Sequence, residues 1–227
     1  MKKSVLLLCC VVVLGVGSGW AGVTGTTNGG LFNDWANWCQ YGCSGSQLAT
    51  PQNFVTSLGS TGEVGLVGTF QGFYNLQQDT SWFGNFTSGM GLVYNGVAFG
   101  NTPTGIAATL DQSTAGVGAY IQADYYGPFT ATIELFDSSY QLIGSYTAGG
   151  YAQYAPGTAL FIGAFSTTPV WAVQFDVTDA YGNEDFALGS MGVSNASPVP
   201  EPGTLALLVP SAIGLAGVLR RRFKGVQ

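Results

Sequence analysis

Two stretches of this chain alternate apolar and polar side chains residue by residue, and a period of two is the pattern of extended strands with one buried face. From Phe129 to Leu135, Phe129, Ala131, Ile133 and Leu135 share one face, and Thr130, Thr132 and Glu134 share the other. From Val170 to Val177, Trp171, Val173, Phe175 and Val177 stand opposite Ala172, Gln174 and Asp176. Between Gly22 and Pro198 no heptad and no helical apolar period interrupts this texture. Further strands are expected at Glu63 to Phe70, Gly91 to Phe99, Gly116 to Ala123, Leu142 to Thr147, Ala159 to Phe165 and Asp185 to Val193. Turn chemistry separates them, as in Tyr125-Tyr126-Gly127-Pro128, Asp137-Ser138-Ser139, Ala155-Pro156-Gly157 and Asp179-Ala180-Tyr181-Gly182-Asn183. Short strands and turns at this spacing predict an all-β fold, an antiparallel two-sheet β-sandwich of jelly-roll kind. Residues 116–194 are expected to form the sandwich core, with Trp171, Phe175, Ile133 and Leu135 buried in it. Residues 22–115 supply an N-terminal part of the body, made of strands and Gly-rich loops.

Charge placement narrows the chemistry. The six basic residues are Lys2, Lys3, Arg220, Arg221, Arg222 and Lys224, and the chain has no His, so Ser4 to Leu219 carries acid alone. Such a body cannot clamp phosphate with Arg or Lys, form a Schiff-base lysine, assemble a Ser-His-Asp triad or Cys-His dyad, or ligate zinc or haem through His. Nucleic acid is excluded as a partner on the same ground, because phosphate neutralisation supplies most of that affinity.

The two ends carry targeting patterns. Residues 1–21 read as a signal peptide for the Sec export machinery: Lys2 and Lys3 come first, an apolar run covers Val5 to Val16, and Gly19-Trp20-Ala21 places small residues at the cleavage point. A retained anchor is the alternative, but a run of about a dozen residues is short of the ~20 that a span needs. At the other end, residues 195–203 form a polar and Pro-containing linker, residues 204–219 an apolar transmembrane helix, and residues 220–227 a basic tail. Arg220, Arg221 and Arg222 are expected to stay cytoplasmic by the positive-inside rule, leaving the body outside the inner membrane.

Val199-Pro200-Glu201-Pro202, the short apolar span and the terminal arginines resemble the PEP-CTERM sorting signal of exopolysaccharide-producing Gram-negative bacteria. The resemblance implies recognition of the tail by an exosortase, a membrane-embedded cysteine transpeptidase, and a cut near Pro200 to Pro202. It implies an inner-membrane-anchored precursor that ends at the outer cell surface or in the extracellular matrix, with exopolysaccharide as a candidate partner. Two prolines flanking a glutamate suit such a signal, because they block helix and sheet and hold the segment extended. Gly116 to Val193 also resembles the β-sandwich cargo common behind this signal, in Gly118-Ala119-Tyr120-Ile121-Gln122, Phe129-Thr130-Ala131, Phe161-Ile162-Gly163 and Asp185-Phe186-Ala187-Leu188.

Few side chains in the body have chemical reach. Cys39 and Cys43, separated by Gln-Tyr-Gly, are expected to form a local disulfide in an oxidising envelope. A loop this short contributes only ~2 kcal/mol on the chain-entropy model. Asp176, Asp179, Glu184 and Asp185 cluster around a Gly-containing turn and offer oxygen ligands for calcium, the one candidate cofactor; the plainer alternative is a solvated turn. Glu134 and Asp137 are no better a glycosidase pair than other acids, so no enzyme is expected. Trp35, Trp38, Tyr41, Tyr125 and Tyr126 lie in expected loops, where they either stack on sugar rings or fill small satellite cores. The leading expectation is a non-catalytic structural protein of the cell envelope or exopolysaccharide. The alternative is a carbohydrate-binding module carrying the same sorting tail.

Overall fold

Strand-forming alternation dominates the observed backbone as well. The computed structural model describes residues 22–68, 72–96 and 105–195. The signal peptide, the motif Val199 to Pro202, the apolar segment 204–219 and Arg220, Arg221 and Arg222 lie outside the described residues, as do Phe70 and Phe99 at the ends of two expected strands. Among the described residues there are twelve strands: β1 (Val23–Thr26), β2 (Asp34–Ala36), β3 (Gln47–Leu48), β4 (Gln52–Val55), β5 (Thr61–Leu66), β6 (Phe73–Gln77), β7 (Gly91–Tyr94), β8 (Ile106–Ala123), β9 (Gly127–Phe136), β10 (Leu142–Ala152), β11 (Leu160–Asp179) and β12 (Phe186–Ser194). They pair antiparallel throughout.

Two strands are far longer than the usual five or six residues, with β8 at 18 residues and β11 at 20. Each is shared between two sheets. The C-terminal half of β11 lies between β9 and the start of β8, which in turn pairs with β5, giving the order β4-β5-β8-β11-β9-β10. The N-terminal half of β11 lies between β1 and the end of β8, which pairs with β12 and leads on through β7 and β6 to β3, while β2 pairs farther along β12. The register slips between Phe165 and Val170, and again before Ala172. Pro169 sits in this break, where its missing N–H interrupts no ladder bond. Strands that change sheets at such irregularities are a known way to turn the corner of a sandwich.

The sheets bury one shared core. Val64, Ile106, Ile133, Leu135, Val173 and Phe175 from the first sheet meet Val93, Val117, Ile121, Ile162, Leu188 and Val193 from the second. Trp171 is a correction: it is half-buried, and Val170 takes the inward place with no exposed surface. The register shift leaves two residues, Trp171 and Ala172, between inward Val170 and inward Val173, so the alternation counted back from Val177 fails there.

The second sheet is covered on its outer face too. Along β7, Val93 enters the central core while Leu92 and Tyr94 pack with Trp82 and Phe86. Nearby, Phe32 stacks on Phe165 at 4.9 Å and contacts Phe161 at 5.1 Å. A strand buried on both faces reads as a continuous apolar run, which is why Leu92-Val93-Tyr94 does not alternate. The expected pieces Ala159 to Phe165 and Val170 to Val177 are halves of one strand, and the 115/116 division falls inside β8.

Candidate functional site

Four loops converge at one end of the sandwich: 78–90 between β6 and β7, 124–126 between β8 and β9, 153–159 between β10 and β11, and 180–185 between β11 and β12. Asn85, almost fully buried, ties two of them together. Its side chain donates to Thr158 Oγ1 at 2.8 Å and accepts from Gln153 N at 2.7 Å, and its carbonyl accepts from Thr158 N and Ala159 N. Asn85 N in turn donates to Oε1 of buried Gln122 at 2.6 Å, which fixes the loop to β8. Tyr126 Oη donates to Phe83 O at 3.1 Å, and Asp124 N donates to Asp185 O at 2.9 Å, so all four loops are hydrogen-bonded into one face.

This face exposes aromatic rings. Phe83, Tyr126 and Tyr154 are 58%, 59% and 56% exposed, where buried aromatics elsewhere in the chain fall below 10%, and Tyr125 beside them is half exposed. The Phe83 and Tyr154 rings lie 6.4 Å apart. Tyr154 Oη approaches Asp79 Oδ1 at 3.4 Å, and Gln78 Nε2 donates to the same oxygen at 2.8 Å. Hydrogen bonds from Ser88 and Gln78 hold the Asp79 carboxyl below its ordinary range, and its charge pushes the Tyr154 hydroxyl up. The arrangement offers flat apolar surface with a fixed hydroxyl and a carboxylate at its rim, a combination that can stack on a sugar ring and bond its hydroxyls.

The sequence-derived aromatic set divides. Tyr125 and Tyr126 stand on the exposed face. Trp35 is half-buried elsewhere, stacked on Tyr120 at 6.0 Å. Trp38 is a correction: it has no exposed surface, and its indole Nε1 donates to Gly189 O at 2.7 Å. Tyr41 stacks on Trp38 and donates through Oη to Asn53 O. Neither expectation holds for Trp38 and Tyr41, since Trp38 belongs to the central core and Tyr41 packs against it, whereas Trp35 lies on the small satellite cluster of Phe32, Phe161 and Phe165. Cys39 and Cys43 are bonded as expected, and the bridge lies against β7, where a side chain at Gly91 would collide with both sulfurs. Phe83, Tyr154 and Asp79 are additions that sequence reasoning passed over; the turn-rich runs Asp79-Thr80-Ser81-Trp82-Phe83-Gly84 and Tyr154-Ala155-Pro156-Gly157 were the available signal.

The acidic cluster is also corrected. Among the described residues no three acidic, cysteine or histidine side chains stand together in a way that could hold a metal ion. Asp179 instead closes its own turn, accepting from Tyr181 N, Asn183 N and Asn183 Nδ2, each at 2.8 Å. Asp176 accepts from Gln174 Nε2 at 2.7 Å, Glu184 is exposed, and Asp185 is buried. Glu134 is half-buried on β9, while Asp137 caps the β9–β10 turn through Ser139 N and Gln141 N.

Burial, followed by the charges of Asp124, Asp179 and Glu184, pushes the Asp185 carboxyl up to about 6. Its folded value lies above the unfolded one near 3.8, so the folded state binds more protons between the two values, and stability falls as pH rises from about 4 to 6. Asp185→Asn is expected to flatten that fall and to raise stability at neutral pH by about 1 kcal/mol, a fraction of the ~3 kcal/mol that the full shift at ~1.4 kcal/mol per unit would give. Thermal unfolding across this pH range checks it, and an unchanged pH profile would count against the buried-charge account.

Fold and site together define a two-layer antiparallel β-sandwich with an aromatic loop face. No family model matches the chain, and no curated protein matches it. Among solved structures, that of CsCBM6-3 from Clostridium stercorarium in complex with cellobiose overlaps 55% of this chain and 95% of its own at 14% identity, with a TM-score of 0.30.

Proposed function

We propose that this is an exported, non-catalytic protein of the cell surface, delivered by a PEP-CTERM-type tail, whose sandwich has jelly-roll character and whose loop face holds neutral polysaccharide. The observation that carries the binding part is the convergence of exposed Phe83, Tyr126 and Tyr154 beside Asp79, from loops far apart in sequence. Neutral glycan is favoured because the body from Ser4 to Leu219 holds no Lys, Arg or His to offset the charge of an acidic one. The non-catalytic reading rests on the sequence, in which nothing selects a carboxylate pair of the kind that glycoside hydrolysis uses. The delivery part rests on the Lys2-Lys3 and Val199 to Arg222 patterns in the sequence.

One preparation tests both parts: protein extracted from the surface of a host with active exosortase. Its intact mass is expected to correspond to a chain beginning at Gly22 and ending near Pro200 to Pro202; a mass that includes Gln227 overturns the sorting reading. Titration with neutral polysaccharide is expected to show binding that Phe83→Ala with Tyr154→Ala weakens roughly five- to 150-fold, at ~0.5 to 1.5 kcal/mol per ring contact. Both side chains are exposed, so the fold should survive. Absent binding by the natural chain, or equal binding by the double variant, overturns the glycan reading.

A further inference from the structure

We infer that β10 is a self-pairing edge that joins two copies of this chain into a symmetric dimer. Among the described residues five strands pair with a single neighbouring strand: β1, β2, β3, β4 and β10. Four of them are only four, three, two and four residues long. Short edges protect themselves, since they expose few unpaired backbone groups. β10 has 11 residues and pairs with β9 alone, in unbroken register from Gly144 to Ala152. Among the described residues no ladder bond joins its other side to a strand, while the inward ring of Tyr146 packs over Gly25 of β1 and Gly144 lies against Val23.

The edge also lacks the safeguards that its own sequence could carry. Leu142 to Ala152 contains no charged residue and no proline, and its only irregularity lies at its start, between Leu142 and Gly144. Uncharged sequence in fact runs from Ser138 to Phe175. Natural edges carry lysine, inward charges, prolines or central bulges to prevent pairing.

The chemistry of the edge selects its occupant. Backbone donors and acceptors call for another strand, and the absence of side-chain charge gives a charged peptide nothing to grip. A second β10 fits. Arranged antiparallel about Thr147, the strand sets Tyr146 against Ala148, Ser145 against Gly149, Gly144 against Gly150 and Thr147 against itself. The one large side chain of this central run meets a small one, no carboxylate faces a carboxylate, and the Thr pair adds a favourable cross-strand contact. The body carries eleven carboxylates and no cation, so an uncharged edge is where two copies approach with least repulsion. Pairing of residues 144–150 supplies roughly seven backbone hydrogen bonds, within the ~10 ± 5 of a typical interface. The contact uses the same edge on both partners, so it closes at two copies and does not propagate into fibres.

Light scattering on the full chain after gel filtration is expected to show a dimer whose population grows with salt, as screening relieves the acid-acid repulsion of the two bodies. Thr147 is exposed, so Thr147→Glu should leave the melting temperature nearly unchanged while placing two carboxylates face to face on the axis and returning the chain to monomer. Thr147→Cys should form an intermolecular disulfide under mild oxidation, whereas Thr178→Cys, exposed but two strands inward on β11, should not. A monomer at high salt and high concentration, a Thr147→Glu variant that still dimerises, or cross-linking equal at both cysteine positions would overturn the inference.

Discussion

Trp38→Ala is expected to destabilise the protein by about 4 kcal/mol, in line with the 3 to 5 kcal/mol typical of a buried aromatic truncation. The indole has no exposed surface. It meets Phe54 edge-on at 5.8 Å and lies parallel to Tyr41 at 6.3 Å, so its removal opens a cavity between the second sheet and the β4–β5 hairpin. Its Nε1 donates to Gly189 O at 2.7 Å, and that carbonyl would lose its partner. For a domain at the low end of the usual ~5 to 15 kcal/mol of stability, the loss is large enough to leave a substantial unfolded fraction. Trp38→Phe separates the two contributions: it keeps much of the apolar volume and should cost about 1 to 2 kcal/mol, chiefly the hydrogen bond. Urea unfolding measures both. A change below about 1 kcal/mol for Trp38→Ala would contradict the packing account and return the ring to a surface role.

Alternation located β9 and the second half of β11 because one face of each is buried and the other is not. It failed at Trp171, where an irregularity adds a residue to the strand. It passed over β1, β2, β3, β4 and β6, which at two to five residues hold too few positions to display a period. The aromatic face was partly legible, since Tyr125 and Tyr126 adjoin Gly127-Pro128 and a turn places side chains outward. Trp38 carries similar local marks, with Asn37 before it and Gly42 after, yet the turn there folds beneath the hairpin. Phe83 and Tyr154 meet only because Asn85 bonds partners 68 and 73 residues away, and no local pattern reports such a bond. The acids around Asp179 illustrate the converse. Their closeness in sequence reflects one carboxylate closing its own turn and does not assemble a ligand set.

Asp34→Ala is expected to cost about 3 kcal/mol, nearly as much as a core aromatic, although the residue contributes no apolar area. Asp34 lies on β2, which pairs with β12 in the second sheet, and its carboxylate is buried. Oδ2 accepts from Thr56 Oγ1 and Ser60 Oγ, both at 2.6 Å, and Oδ1 accepts from Leu58 N at 2.6 Å and Ser57 Oγ at 3.2 Å. All four donors belong to the turn between β4 and β5, a hairpin of the first sheet, so this one carboxylate pins the two sheets together at their edge. Burial alone would raise its pKa, but the bonds from Ser60, Thr56, Leu58 and Ser57 outweigh that and hold it below the ordinary value of 3.8. Bonds to a charged acceptor are worth ~1.5 to 3 kcal/mol each in isolation, and removing the acceptor strands several donors that share one site, so their losses do not simply add. Because the folded pKa is depressed, the stabilisation is complete above the unfolded value and is lost as pH falls through the folded one. The gap between the natural chain and Asp34→Asn should therefore be widest near neutrality and close in strong acid. Hydrogen exchange is expected to speed up first at Leu58 and along β4 and β5 in the variant, with β9 and β11 protected as before. Uniform acceleration across the sandwich would mean that the carboxylate supports the whole fold and is not a local clasp.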